Sequence, residues 1–138
     1  MSRLEQAIRI AAHAHEGQCD KGGAPYILHP LRVMLALTTL TDRIVGVLHD
    51  VVEDTSIGLD ELQREGFEAP ILEALDKLTR RENEPYEAFI DRISSNPIAR
   101  RVKIADLEDN CDLSRIPEPS PEDHARREKY LRALRILR

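Results

Sequence analysis

The sequence of 138 residues has few aromatic residues, few cysteines and no long apolar run. Aromatic residues make up 4% and tryptophan is absent, so leucine, isoleucine, valine and alanine must form the core. No stretch approaches the roughly 18 apolar residues of a membrane-spanning helix, and we therefore expect no membrane partner. The two cysteines, Cys19 and Cys111, lie far apart, and the start of the chain has no apolar segment of the secretory kind. We expect reduced thiols in a cytoplasmic protein.

A surplus of basic residues is also missing. Twenty lysines and arginines face 25 acidic residues, which gives a net charge of −5 and argues against a general nucleic-acid binder. Hydrophobic residues make up 41% and charged residues 33%, a balance typical of a soluble globular protein. We expect residues 1–138 to form one domain, and both a monomer and a homo-oligomer stay open.

Start and stop signals predict an all-α domain, a compact bundle of about eight helices. No stretch of alternating β-branched residues competes with them, so we expect no strands. The first helix begins at a capping box from Ser2 to Glu5 and ends at Gly17, and the second starts at Pro30 and covers residues 31–40. A third helix is capped by Asp42 and broken over residues 55–58, and two more cover residues 59–65 and 69–80. The last three start at Pro85, at Pro97 and at a cap on Ser120.

Residues 49–54 place one imidazole and three carboxylates directly after the apolar residues 44–48. Positions four apart share a helix face, so His49 lies over Glu53 and Asp50 lies over Asp54. Burying such charges together costs several kcal/mol unless something pairs them. Imidazole and carboxylate ligands suit manganese, iron, cobalt or zinc, so the pattern predicts a divalent metal site with spare acids for a bound water.

A second group of polar residues follows near residue 106. Asp106 and Asn110 share a helix face, and Lys103 lies one turn earlier among apolar neighbours. Asp106 interrupts an apolar face, which favours a role for Asp106 as a metal ligand. The neighbouring acids are predicted to form a solvated face; these are Glu108, Asp109 and Asp112.

Two histidines earlier in the chain are harder to interpret. His29 stands directly before Pro30, and from the local pattern alone it could simply cap a helix. His15 faces the Gly17 loop, and we expect it to support the site indirectly.

Four ordered motifs resemble the HD superfamily of metal-dependent phosphohydrolases. They occupy residues 14–18, 25–30, 48–55 and 102–106, and the resemblance extends from about residue 7 to residue 114. They are most similar to the hydrolase domain of the Rel/Spo enzymes and to the stand-alone alarmone hydrolases. The resemblance implies an enzyme with an all-α HD fold that removes the 3′-diphosphate of guanosine tetra- or pentaphosphate, (p)ppGpp, and releases pyrophosphate.

The resemblance also implies a role for particular residues. One metal ion, usually manganese, would be held by His29, His49, Asp50 and Asp106. The acidic pair that orients and deprotonates water would be Glu53 and Asp54. The nucleotide substrate would be contacted by Lys21, Tyr26, Lys103 and Asn110.

The sequence departs from the family where the substrate is recognised. Asp20, Leu107 and Asp112 stand where the family commonly has basic residues. Arginine is well suited to phosphates and bases, so its loss should weaken binding of a highly anionic guanosine ligand. Two alternatives therefore stay open: a general HD nucleotidase or phosphodiesterase acting on another nucleotide, and a non-catalytic nucleotide-binding module.

Overall fold

The computed structural model describes residues 3–138, and this part of the chain contains eight α-helices and no strand. The predicted all-α class is confirmed. An isolated bridge between Cys19 and Pro25 closes the loop after the first helix. The helices are α1 (Arg3–Ala14), α2 (Leu28–Ala36), α3 (Leu40–Asp54), α4 (Leu59–Arg64), α5 (Ala69–Lys77), α6 (Tyr86–Ser94), α7 (Pro97–Asn110) and α8 (Pro121–Leu137).

Two predicted helix starts were wrong by a few residues. The cap of α3 is Thr39, whose hydroxyl accepts the Asp42 N–H at 3.1 Å, whereas the Asp42 carboxylate accepts from Arg101. Helix α2 begins at Leu28, so Pro30 lies inside the first turn. N–H groups in the first turn have no acceptor within the helix, so the missing N–H of Pro30 costs no helical hydrogen bond. The predicted cap at Ser2 lies outside the described residues.

Helix α3 lies at the centre of the bundle and packs against α1, α2, α5 and α7. Its residues Val45, Val47 and Leu48 are completely buried. Helix α2 approaches it closely at Gly46, where a Cβ atom would lie 2.8 Å from the Leu37 side chain. This close packing brings the start of α2 beside the end of α3.

Helix α8 completes the core on the side of α6 and α7. Ser120 and Asp123 form a reciprocal capping box at its start, as the sequence predicts, and Leu134 and Leu137 are buried. Among residues 3–138, no helix combines the length and the apolar character needed to cross a membrane.

Candidate metal centre and adjoining cavity

Three helices bring together the four residues predicted as metal ligands. His29 lies in the first turn of α2, His49 and Asp50 lie near the end of α3, and Asp106 lies in α7. One potential ligand atom from each residue lies within 4.8 Å of the others. The two histidines and Asp106 are buried, with exposed fractions of 4–5%. Helices α2, α3 and α7 pack against one another, and their buried apolar residues belong to one core cluster, which holds these side chains on rigid elements.

Hydrogen bonds orient both imidazoles toward the centre. His49 Nδ1 lies 2.6 Å from the Gly46 carbonyl oxygen, and His29 Nδ1 lies 2.7 Å from Asp109 Oδ2. A carbonyl or carboxylate oxygen accepts only, so each Nδ1 carries the proton. Each Nε2 faces Asp106 Oδ1, at 2.8 Å for His29 and 3.2 Å for His49.

The centre thus places two imidazole Nε2 atoms against two carboxylates, and positive charge offsets the repulsion between these carboxylates, either as protons on the imidazoles or as a bound cation. Burial lowers the pKa of His29, but its bonds to Asp106 and Asp109 prevail and raise it to about 10. Burial raises the pKa of the Asp106 carboxyl, but the Lys103 ammonium and the two imidazoles hold it well below its usual range. Two imidazole nitrogens and two carboxylate oxygens fit a divalent ion of the manganese, iron, cobalt or zinc type.

Asp109 is not part of a solvated face, and that prediction was wrong. Its side chain is 13% exposed, and its two oxygens bond His29 Nδ1 and the Arg32 guanidinium, with Arg32 Nε at 2.8 Å. These bonds hold its pKa at about 2 against the opposing effect of burial. Helix α7 turns this residue inward because it lies three residues after Asp106. The neighbouring Glu108 and Asp112 are about half exposed, as expected.

Three residues predicted to bind substrate contact the carboxylates of Asp50 and Asp106, which are predicted as metal ligands. The Tyr26 hydroxyl donates to Asp50 Oδ2 at 2.6 Å. Lys103 Nζ lies 2.9 Å from Asp106 Oδ2, and Asn110 Nδ2 donates to Asp106 Oδ1 at 3.2 Å.

Glu53 and Asp54 occupy the last turn of α3. Partial burial raises the pKa of both carboxyls, and nearby acids raise the pKa of Asp54 further. The Lys103 ammonium and the nearby backbone N–H of Arg80 oppose this effect and tend to lower the pKa of Glu53. The His15 ring lies 5.0 Å from the ring of Tyr26, so His15 packs behind the tyrosine that holds Asp50.

A cavity of about 410 Å³ opens beside the centre, and Tyr26, His29 and Asn110 contribute to its wall. Each of its basic side chains already faces a carboxylate: Lys21 and Arg126 face Asp123, Arg115 faces Asp112, and Arg32 faces Asp109.

The acidic residues that replace basic ones in this wall have structural partners. Asp20 Oδ1 accepts the N–H groups of Gly22 and Ala24, and Asp112 Oδ1 accepts that of Ser114. Sequence interpretation missed Arg32, Arg115, Arg126 and Tyr130 as cavity residues. Only Arg32 had a local signal, because it lies one helical turn after His29.

Comparison with known proteins gives matches along most of the chain. No family model matches it. The chain is 32% identical to the mouse guanosine-3′,5′-bis(diphosphate) 3′-pyrophosphohydrolase MESH1 over 99% of its own length and 84% of that protein. It is 29% identical to a GTP pyrophosphokinase of Streptomyces coelicolor, over 93% of the chain but only 16% of the relative. A 39% identical match to the pyrophosphohydrolase of Borreliella burgdorferi covers 54% of the chain and 12% of the relative.

The structure has the fold of a metazoan ortholog of SpoT described as hydrolysing ppGpp. The TM-score is 0.81 at 19% identity, and the match covers 99% of this chain and 85% of that one. The fold and the His/Asp centre define an all-helical domain of the HD class. The chain belongs to the HD-type (p)ppGpp hydrolase-like family that includes MESH1. It spans less than a fifth of the length of the first curated relatives it matches.

Proposed function

We propose that this chain is a metal-dependent phosphohydrolase that removes the 3′-diphosphate of (p)ppGpp and releases pyrophosphate. The convergence of four ligand atoms in a domain similar to MESH1 is the observation that supports this most. We further propose that residues 1–138 form one HD domain, that manganese is the ion used, and that the protein works in the cytoplasm on a nucleotide, as monomer or homo-oligomer.

The proposed ligands are His29, His49, Asp50 and Asp106. A divalent ion held there supplies positive charge to a phosphoryl group and makes a nearby water more acidic. Glu53 and Asp54 orient the attacking water and accept its proton, because both lie one turn beyond the ligands of α3. Tyr26 fixes the Asp50 carboxylate through its hydroxyl.

Lys103 and Asn110 act on the phosphate being transferred. The Lys103 ammonium has three donors and uses one on Asp106, so it can offer others to a phosphoryl oxygen. Asn110 adds a neutral donor at the wall of the cavity. Lys21 lies in the same wall and contacts the nucleotide.

A substrate panel tests this function. The Mn²⁺-loaded protein is incubated with ppGpp, pppGpp, dNTPs, nucleoside monophosphates and cyclic nucleotides, and products are identified by ³¹P NMR. We expect pyrophosphate and GDP from ppGpp at a rate above that of every other compound. Binding of ppGpp without turnover of any compound would identify a non-catalytic module instead.

The charge balance of the cavity favours a second candidate, an HD nucleotidase or phosphodiesterase for a less charged nucleotide. The four basic side chains of the cavity named above face three carboxylates, because Lys21 and Arg126 share Asp123. A ligand with two diphosphate groups therefore gains less binding free energy in this cavity than it would from arginines without carboxylate partners. In the same panel, this candidate predicts faster turnover of a nucleoside monophosphate or cyclic nucleotide than of ppGpp.

The Asp109 carboxylate should strengthen metal binding through His29. We expect Asp109→Asn to weaken Mn²⁺ affinity by about 10- to 100-fold, because a carboxylate on the far nitrogen fixes the ring and increases its basicity. Arg32→Met should have a smaller effect in the same direction, since Asp109 keeps its bond to His29. Isothermal titration with Mn²⁺ measures both.

Glu108→Gln is the matched control for this prediction, because it removes one negative charge from the adjacent position of α7 while facing solvent and Arg138. Its Mn²⁺ affinity should equal that of the wild type. Equal affinity in Asp109→Asn and Glu108→Gln would show that Asp109 does not act on the metal.

A further inference from the structure

A group of positive side chains adjoins the metal centre outside the wall of the cavity. The Lys129 ammonium lies 4.0 Å from the centroid of the Tyr86 ring, and the Arg80 guanidinium carbon lies 5.6 Å from the same centroid. Lys103 lies 5.5 Å from the Phe89 ring, which packs edge-on against Tyr86. We call Arg80, Tyr86, Lys103 and Lys129 the Tyr86 cluster.

Two cations of the Tyr86 cluster lack the carboxylate partners that other basic residues nearby possess. Of the acidic side chains in residues 3–138, none lies within 4.0 Å of the charged nitrogens of Arg80 or Lys129. In contrast, Arg81 pairs with Asp76 and Arg92 pairs with Glu84, each at 3.0 Å.

The environment of Lys129 shows the same imbalance. Burial lowers the pKa of Lys129, and the neighbouring Arg80, Lys103 and Arg132 lower it further. Like charges held together repel unless an anion lies among them.

The Tyr86 hydroxyl adds an unused donor to this group. Its oxygen is buried and has no hydrogen-bond partner among residues 3–138. A buried hydroxyl carries a desolvation penalty that a bound acceptor would offset. Two cations without a carboxylate partner therefore lie against the Tyr86 ring, and the hydroxyl of that ring is itself unpaired. All three groups complement the oxygens of a phosphate.

The Tyr86 cluster joins the metal centre on two sides. Lys103 bonds Asp106, and the backbone N–H of Arg80 lies near the Glu53 carboxylate. A phosphate bound by Arg80 and Lys129 would therefore lie beyond Lys103, next to a phosphorus at the metal. The cavity differs, because each of its basic side chains faces a carboxylate, with Lys21 and Arg126 sharing Asp123.

We propose that Arg80, Lys129 and the Tyr86 hydroxyl bind the outer phosphate of a diphosphate group whose inner phosphorus is attacked at the metal centre. The site recognises the diphosphate that is transferred to water. The bond between the inner phosphorus and the ribose 3′-oxygen breaks, and the nucleoside that leaves with a protonated 3′-oxygen occupies the cavity. The identity of the diphosphate as part of the substrate rests on the proposed function, whereas the binding of a diphosphate by these three residues does not.

Binding of inorganic pyrophosphate to the Mn²⁺-loaded protein tests the proposal. Pyrophosphate is first equilibrated with equimolar Mn²⁺, so that it does not strip the protein, and is then titrated calorimetrically. Lys129→Met and Arg80→Gln should each raise the Kd by about tenfold, as expected for loss of one charged contact. Tyr86→Phe should raise it by about threefold. Lys129→Arg should keep near wild-type affinity, because it restores the charge.

Arg135→Met is the control, since it removes one exposed positive charge from the last turn of the same helix, α8. It should leave the pyrophosphate Kd unchanged, and the affinity for Mn²⁺ should stay the same in every variant. If wild type binds no pyrophosphate, or if Lys129→Met and Arg80→Gln bind it as wild type does, the proposal is wrong. The expected losses in a protein that does not hydrolyse ppGpp would overturn the proposed function and leave the diphosphate site standing.

Discussion

Replacement of Asp50 by alanine is expected to abolish metal binding and hydrolysis together. The substitution removes one of two carboxylates at the centre and leaves the Tyr26 hydroxyl without its partner. Loss of a partner outside the ligands typically costs 10- to 100-fold in metal affinity, and loss of a ligand should cost more. Calorimetric Mn²⁺ titration and a hydrolysis assay at matched protein concentration measure the two effects.

Asp60→Ala is a suitable control for Asp50→Ala, because Asp60 is an exposed carboxylate in the first turn of α4. It should bind Mn²⁺ and turn over substrate as the wild type does. An Asp50→Ala protein that still binds one Mn²⁺ with wild-type affinity would exclude Asp50 as a ligand.

Replacement of the acidic pair should separate catalysis from metal binding. We expect Glu53→Gln and Asp54→Asn each to lower kcat by ~10²-fold or more while the Kd for Mn²⁺ stays near the wild-type value. The amides keep the shape of the side chains but cannot accept a proton from water. Single-turnover hydrolysis measures the effect of each variant on catalysis, and metal titration measures its effect on Mn²⁺ binding.

The pH profile gives a further check on the acidic pair. Partial burial raises the pKa of both carboxyls, so the ionised form is lost as pH falls through a value above the ordinary pKa of each side chain. As the solution is acidified, wild-type activity should therefore decline at a higher pH than it would if these carboxyls had their ordinary pKa. Full activity in the Glu53→Gln, Asp54→Asn double variant would mean that another group activates the water.

The local part of the metal centre could be predicted from sequence physics, and the rest required the resemblance. His49 and Asp50 are adjacent and follow an apolar run, so their burial in one helix is a local property. His29 lies 77 residues from Asp106 and looks like a helix cap in isolation. Only the packing of α2 against α3 and α7 brings it to the centre.

Asp109 shows why the interpretation of acidic runs fails. Three acids within residues 108–112 look alike in composition, and only the direction of α7 decides which one faces inward. The spacing of three from Asp106 was available, but an exposed acidic run was the commoner expectation. The Tyr86 cluster could not be predicted at all, because it joins residues from the loop after α5 and from α6, α7 and α8.

Helix starts show a similar limit for the fold. The cap at Ser120 was predicted because Ser120 and Asp123 are close in sequence. Thr39 and Asp42 are both good capping residues, and the ion pair of Asp42 with Arg101, 59 residues away, decides between them. Type and order of the helices therefore follow from local pattern, whereas exact boundaries depend on contacts between helices.

Anomalous diffraction from a crystal grown with Mn²⁺ tests the central claim most directly, because it locates the ion without reference to activity. We predict one strong manganese peak with bonds of about 2.0–2.3 Å to His29 Nε2, His49 Nε2 and one oxygen each of Asp50 and Asp106. A manganese peak bound elsewhere in the protein, with no density among these four residues at saturating Mn²⁺, would contradict the assignment of this centre.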